Sequence, residues 1–130
     1  MNNTLLRWHQ FIETPDDGIL HEILADNVKF HSPFVWKPKE GKEITTQILL
    51  TVSQVFQNFR YVREITNNNQ FCLEFEANIG ELTLRGIDLI ALNEEGKIID
   101  FEVMIRPANA LQILGIEMGN RLTNLSEQPA

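Results

Sequence analysis

The chain has 130 residues, of which 43% are hydrophobic and 22% are charged, and its formal net charge is −7. This composition is typical of one globular domain and excludes a disordered segment. A net-acidic chain without a cluster of Lys and Arg repels phosphate groups, so we expect no nucleic acid and no membrane among its partners.

The N-terminal residues, the cysteine count and the short motifs bear on the cellular compartment of the protein and on its cofactors. The N-terminal residues have no apolar run long enough for a signal peptide or an anchor, and the single cysteine, Cys72, has no partner for an internal disulfide. We therefore expect a cytoplasmic protein. No spacing of Cys and His resembles a zinc site, and no glycine-rich phosphate loop is present, so we expect no metal and no cofactor.

Apolar residues at helical spacing predict three helices in the first 59 residues. The first spans roughly 3–13, and a short second one follows Thr14-Pro15. The third is long, covers 42–59 and has a wide apolar face: Ile44, Ile48, Leu49, Val52, Val55, Phe56 and Phe59. Between the second and third helices, alternation over 28–32 predicts a strand that Pro33 ends.

The pattern then changes to a period of two, which predicts a meander of strands. The first covers 61–66, and Asn67-Asn68-Asn69 forms the turn after it. Three longer strands follow, and each has one apolar face. Pro107 then opens a last helix whose apolar stripe consists of Leu111, Leu114, Met118 and Leu122.

Helices with apolar stripes must cover the apolar face of the sheet, so the fold class is α+β, with a curved antiparallel sheet around an apolar pocket. We expect one domain over residues 1–125 and a frayed tail over 126–130. The outer face of the last strand mixes polar and apolar residues, which favours a homodimer contact: Ile98, Asp100, Glu102, Met104 and Arg106.

Asp88 interrupts the apolar face of the penultimate strand. A turn centred on Gly80-Glu81 sets Leu73 opposite Asp88, and a turn centred on Glu94-Glu95 sets Phe101 on its other side. The first register also pairs Glu76 with Arg85 on the opposite face. We therefore expect a carboxyl group inside an apolar concavity, where burial perturbs its pKa.

Two interpretations of Asp88 are open. A perturbed acid in an apolar hollow is a candidate for catalysis or ligand recognition. Alternatively, Asp88 accepts hydrogen bonds from Trp8, Ser32 or the backbone and only stabilises the fold.

Three other side chains near the first strand have alternative roles. His31 either turns inward as a general base or ties down the loop that follows it. The aromatic residues Phe34 and Trp36 either form a lid over the pocket or clamp their loop onto the core or a partner.

Short motifs resemble the nuclear transport factor 2-like superfamily. They are residues 25–33 (ADNVKFHSP) after two predicted helices, and 86–89 (GIDL) followed by 93–98 (NEEGKI). Within that superfamily the chain is most similar to the SnoaL-like, polyketide-cyclase-like group. The resemblance covers about residues 3–122 and implies a conical half-barrel with helices on its concave face, a deep pocket and a homodimer.

Ketosteroid isomerase shares that fold, and the resemblance implies roles for three positions. Its protonated oxyanion aspartic acid corresponds to Asp88, the tyrosine of its first helix to Trp8, and its proton-shuttling aspartate to Ser32. Serine does not shuttle protons near neutral pH, so the third role does not carry over. Trp8 keeps an indole N–H, which can form an oxyanion-binding pair with protonated Asp88.

The expected ligand is a small, mostly apolar molecule in a deep pocket. Candidate reactions are isomerisation, cyclisation or dehydration next to a carbonyl, and the alternative is a non-catalytic ligand-binding or dimerisation module. The candidate catalytic residues are Asp88, Trp8, His31 and Ser32. The candidate ligand-binding residues are the predicted pocket walls: Trp8, Phe11, Phe34, Trp36, Val52, Phe56, Leu73, Phe75, Phe101 and Val103.

Overall fold

The computed structural model describes residues 3–127, with side chains as far as residue 123. Within this range the chain forms four helices and six strands: α1 (Thr4–Glu13), α2 (Asp17–Ile23), β1 (Leu24–His31), β2 (Lys39–Glu40), α3 (Lys42–Val55), β3 (Gln57–Asn67), β4 (Gln70–Ile79), β5 (Leu82–Leu92), β6 (Ile98–Arg106) and α4 (Ala108–Glu127). Helix α4 includes residues 126 and 127 of the predicted tail, and residues 128–130 lie outside the described range.

The strands form one curved, mostly antiparallel sheet in the order β2-β1-β6-β5-β4-β3. Only the β1–β6 pair is parallel among the described strands. Helices cover the concave face and bury a continuous apolar core between helix and sheet. The fold is therefore the α+β cone that the sequence predicts.

The β4–β5 hairpin confirms its predicted register. Ile79 pairs with Leu82 around the two-residue turn, so Leu73 lies opposite Asp88 and Glu76 opposite Arg85. The Arg85 guanidinium donates to the Glu76 carboxylate across the outer face.

The β5–β6 hairpin differs from its predicted register by two residues. The Asn93 side chain accepts hydrogen bonds from the Glu95 and Lys97 backbone N–H groups and lengthens the turn. A β-bulge follows between Ala91 and Leu92. The longer turn and the bulge each shift the register by one residue, so Asp88 lies opposite Val103 and not opposite Phe101. Because the total shift is two residues, Asp88 and Phe101 both still point inward.

The bulge also reverses which of two neighbouring residues, Ile98 or Ile99, faces the core at the start of β6. Ile98 is fully buried there, whereas the alternation in the sequence predicts that Ile99 faces inward. The prediction for Ile98 as an outer residue is wrong for this reason.

The third helix ends earlier than the sequence predicts. It stops at Val55, and Phe59 belongs to β3, where its ring stacks on Phe75 at a centroid distance of 4.9 Å. Apolar residues at 52, 55, 56 and 59 fit a helix as well as a helix-to-strand junction, and packing against β4 selects the second. Among the described residues, no helix has the length and apolar character needed to span a membrane.

Candidate functional site

A cavity of about 380 Å³ lies between the concave face of the sheet and helices α1, α3 and α4. This volume is in the range of small-molecule sites, about 300–1,000 Å³. Its lining is apolar except for four side chains among the described residues: Ser32, Lys39, Ser53 and Asp88. An apolar hollow with few polar groups is suited to an apolar molecule that carries one or two polar atoms.

Asp88 is the one acid in that lining within the described residues. It lies in the middle of β5 between Leu73 and Val103, and only 5% of its surface is exposed. Its Oδ2 accepts a hydrogen bond of 2.6 Å from the Tyr61 hydroxyl. No other described residue donates to this carboxyl group, so its remaining oxygen is available to a molecule in the cavity.

Tyr61 connects Asp88 to the first helix. The Trp8 indole N–H donates to the Tyr61 oxygen at 2.7 Å, and the Tyr61 hydroxyl donates to Asp88. The indole N–H therefore reaches the carboxyl group only through Tyr61 and does not point at a ligand. This differs from the oxyanion-binding pair of Trp8 and Asp88 that the sequence predicts. Trp8 itself is held by stacking on Phe11 and by an edge contact with Phe101.

Tyr61 is a residue of the site that the sequence patterns above do not single out. It is the single tyrosine of the chain, and it alternates with Phe59 on the inward face of β3. A buried acid requires a donor, and a tyrosine on the same concave face two strands away satisfies that requirement. The inward position of Tyr61 and the need of Asp88 for a donor together identify Tyr61 from the sequence.

Burial controls the protonation of both groups. It raises the pKa of Asp88 from 3.8 to about 7, although the hydrogen bond from Tyr61 lowers that pKa. Burial, followed by the nearby Asp88 charge, raises the pKa of Tyr61 well above 10. Tyr61 thus remains a hydrogen-bond donor over the whole physiological range, and Asp88 changes its charge within that range.

Most of the candidate pocket residues lie together around the cavity. Its lining contains Asp88, Ser32, Trp8, Phe11, Phe34, Val52, Phe56, Phe75, Phe101 and Val103. Phe34 also packs on α4, where a Cβ added at Gly115 would lie 3.2 Å from its ring.

Three candidates lie elsewhere. Trp36 is 97% exposed and does not line the cavity, because the loop points it into solvent. Leu73 is fully buried beneath the lining. The His31 ring faces outward, and its Nε2 lies 2.9 Å from Oδ1 of Asp100, so the strand alternation holds and no bulge turns the ring inward.

Ser32 accepts backbone hydrogen bonds from Phe34 and Val35 at 3.3 Å each. Its oxygen is occupied by these N–H groups, so its own hydroxyl hydrogen remains to be donated. Among the described residues, no group of three or more His, Cys, Asp or Glu is arranged to hold a metal ion.

Comparison with solved structures gives close matches. A crystal structure described as a steroid delta-isomerase from Pseudomonas aeruginosa is 41% identical, with a TM-score of 0.91 over 96% of this chain and 93% of that one. An NTF2-like protein of unknown function from Cytophaga hutchinsonii is 21% identical, with a TM-score of 0.65 over 84% and 92%. A SnoaL-like family protein from Agrobacterium tumefaciens is 16% identical, with a TM-score of 0.62 over 81% and 96%.

No protein-family model matches the chain, and no curated protein matches it. The structural relatives nevertheless define its class, since one of them is 41% identical over nearly the whole chain. The chain belongs to the nuclear transport factor 2-like superfamily, which includes the SnoaL-like proteins.

Proposed function

We propose that this protein binds a small, mostly apolar carbonyl compound and moves a proton next to that carbonyl, as an isomerase does. The observation that carries the proposal is one carboxyl group, with a pKa of about 7, in the wall of an apolar cavity. In its protonated form Asp88 donates a hydrogen bond to the carbonyl oxygen and stabilises the enolate that forms when a water molecule that enters the cavity takes the proton from a neighbouring C–H. The same water then returns the proton to another carbon of the enolate, which completes the isomerisation.

The surroundings of Asp88 support this role. A low-dielectric wall strengthens a hydrogen bond to a developing oxyanion. Tyr61 occupies one carboxyl oxygen and fixes the orientation of the group. The 41%-identical relative, described as a steroid delta-isomerase, supports a steroid-like ketone as the first substrate to test.

A second candidate function is ligand binding without turnover. The observation that favours it is that Asp88 is the one carboxyl group, and no histidine is present, in the described lining. Ser32 lines the cavity, but a serine hydroxyl does not take up a proton near neutral pH.

Binding is tested with testosterone, an uncharged steroid ketone. Because the protonated acid is the hydrogen-bond donor, we expect the affinity of the native protein to fall about tenfold per pH unit above pH 7. Asp88→Asn keeps a neutral donor, so its affinity should not depend on pH over this range. Asp88→Leu has no donor, and its affinity should be low at every pH. Equal affinity and equal pH dependence in all three proteins would refute a site at Asp88.

Turnover is tested with a β,γ-unsaturated steroid ketone, whose conversion to the conjugated ketone is followed by ultraviolet absorption. We expect turnover by the native protein and a large decrease in Asp88→Asn, since an amide N–H is a far weaker acid than a carboxyl O–H and stabilises an enolate oxygen less. Tight binding of testosterone without conversion would favour the non-catalytic function.

A further inference from the structure

Lys39 is the one cation in the described lining of the cavity. It lies in the short edge strand β2, directly opposite Phe30 of β1. Partners that lie opposite each other in an antiparallel pair point to the same face, and Phe30 also lines the cavity. Lys39 is exposed as well, so it lies at the mouth of the cavity.

No acidic side chain in the described part of the chain neutralises Lys39. Neither an ion pair nor a side-chain hydrogen bond joins it to another described residue. Its neighbour Glu40 lies opposite Lys29, on the other face of the strand pair. The protein as a whole carries a net charge of −7, so a cation without a partner at the mouth of an apolar cavity is a local exception.

Lys39 and Asp88 are at opposite sides of the cavity. The strand order β2-β1-β6-β5 separates them by three steps between neighbouring strands. At about 4.8 Å per step the separation is about 14 Å along the sheet, and the curvature shortens the direct path through the cavity. A molecule that contacts both must therefore be elongated, on the order of 10 Å or more.

We propose that the ligand carries an anionic group, a carboxylate or a sulfate, at the end opposite its carbonyl oxygen, and that Lys39 binds this group. This inference rests on the proposed function, because it adds a second contact to the ligand that Asp88 binds. The apolar walls hold the body of the ligand, Asp88 faces its oxygen, and Lys39 holds the anion where it stays in contact with water. A cation at the mouth selects against uncharged molecules of the same shape.

The test compares two esters of one steroid, testosterone sulfate and testosterone acetate, which differ in charge at the same end. Affinities are measured at pH 6, where Asp88 is mostly protonated, by isothermal titration calorimetry. In the native protein we expect the sulfate to bind about fivefold more tightly than the acetate, the effect of one partly exposed ion pair. The ratio should fall towards one in Lys39→Met and at high salt.

Lys37→Met is the matched control. It removes the same charge two residues away, from a side chain that does not line the cavity, and it should keep the native ratio. If testosterone binds but the native ratio is one, or if Lys37→Met and Lys39→Met change it equally, the anion site is wrong and the proposed function stands. If neither ester nor testosterone binds the native protein, both proposals fail.

Discussion

Replacing Asp88 by asparagine tests the protonation of the buried acid without any ligand. Burial raises the folded-state pKa to about 7, whereas in the unfolded chain the carboxyl group titrates near 3.9. Between those two values the folded state binds more protons than the unfolded state, so this group lowers the free energy of unfolding as pH rises from about 4 to 7. Asparagine has nearly the same shape and does not titrate.

The size of the effect follows from the pKa. A change from 3.8 to about 7 corresponds to roughly 4 kcal/mol, since each pKa unit is worth about 1.36 kcal/mol. At pH 4 the folded state holds the proton, whereas the carboxyl group in the unfolded state is about half ionised, so Asp88→Asn should still be within about 0.5 kcal/mol of the native stability. By pH 8 the variant should be more stable by up to about 4 kcal/mol, because the native protein then holds a charge in an apolar wall.

The assay is urea unfolding followed by circular dichroism at a series of pH values from 4 to 8. Glu94→Gln, which removes one carboxylate from an exposed turn, controls for the change in net charge. The quantity compared is the difference in free energy of unfolding between each variant and the native protein. A difference for Asp88→Asn that stays constant with pH, or a variant that is less stable at pH 8, would mean that the carboxyl group of Asp88 does not titrate near pH 7.

The remaining predictions concern neighbours of the site. Tyr61→Phe removes the hydrogen bond that lowers the pKa of Asp88, so the pH at which testosterone affinity declines should move above 7. Gly86→Ala should cost about 1–3 kcal/mol or more in thermal or urea unfolding, because its Cβ would lie 2.3 Å from a ring carbon of Phe75. His31→Ala should leave testosterone affinity within about twofold of native, since the ring faces outward from the cavity.

Each of these predictions has a control or a contradicting result. Gly119→Ala meets no atom within 4 Å and should stabilise α4 by up to about 1 kcal/mol, so equal losses at both glycines would argue against the clash. A decline at unchanged pH in Tyr61→Phe would mean that the tyrosine does not control the acid. A large loss of affinity in His31→Ala would restore histidine to the site.

The register of the β4–β5 hairpin was predictable because its turn is short. Two residues, Gly80 and Glu81, leave one arrangement that places the apolar faces of both strands inward, and that arrangement pairs Leu73 with Asp88. The register of the β5–β6 hairpin depends on a side chain, Asn93, that competes with backbone carbonyl groups for the N–H groups of the turn. Asn93 lengthens the turn, and the bulge that restores the inward face has no glycine to reveal it in the sequence.

The sequence predicts the acid of the candidate site, Asp88, but not the residue that donates a hydrogen bond to it. Asp88 breaks a period-two pattern, and such a break is visible in one strand alone. The donor Tyr61 is 27 positions earlier in the chain, in a strand whose start was assigned to a helix, so its inward direction was hidden. The resemblance to ketosteroid isomerase points to Trp8, but the direction of its N–H depends on Tyr61.

Lys39 illustrates a different limit. Its segment, residues 34–41, contains two prolines and a glycine, which predict a loop or a ragged strand edge, and Lys39 and Glu40 pair with β1 for two residues. Because that pairing fixes the face to which Lys39 points, its place at the cavity is a tertiary effect. Propensity over so short a segment carries no information about it.

The most direct test of the buried acid is a ¹³C NMR titration of the Asp88 carboxyl carbon, with and without testosterone. We expect a midpoint at about pH 7 in the free protein and a higher midpoint with testosterone, which binds the protonated form. Asp88→Asn identifies the resonance by its absence. A midpoint near pH 4 that testosterone does not move would contradict the account.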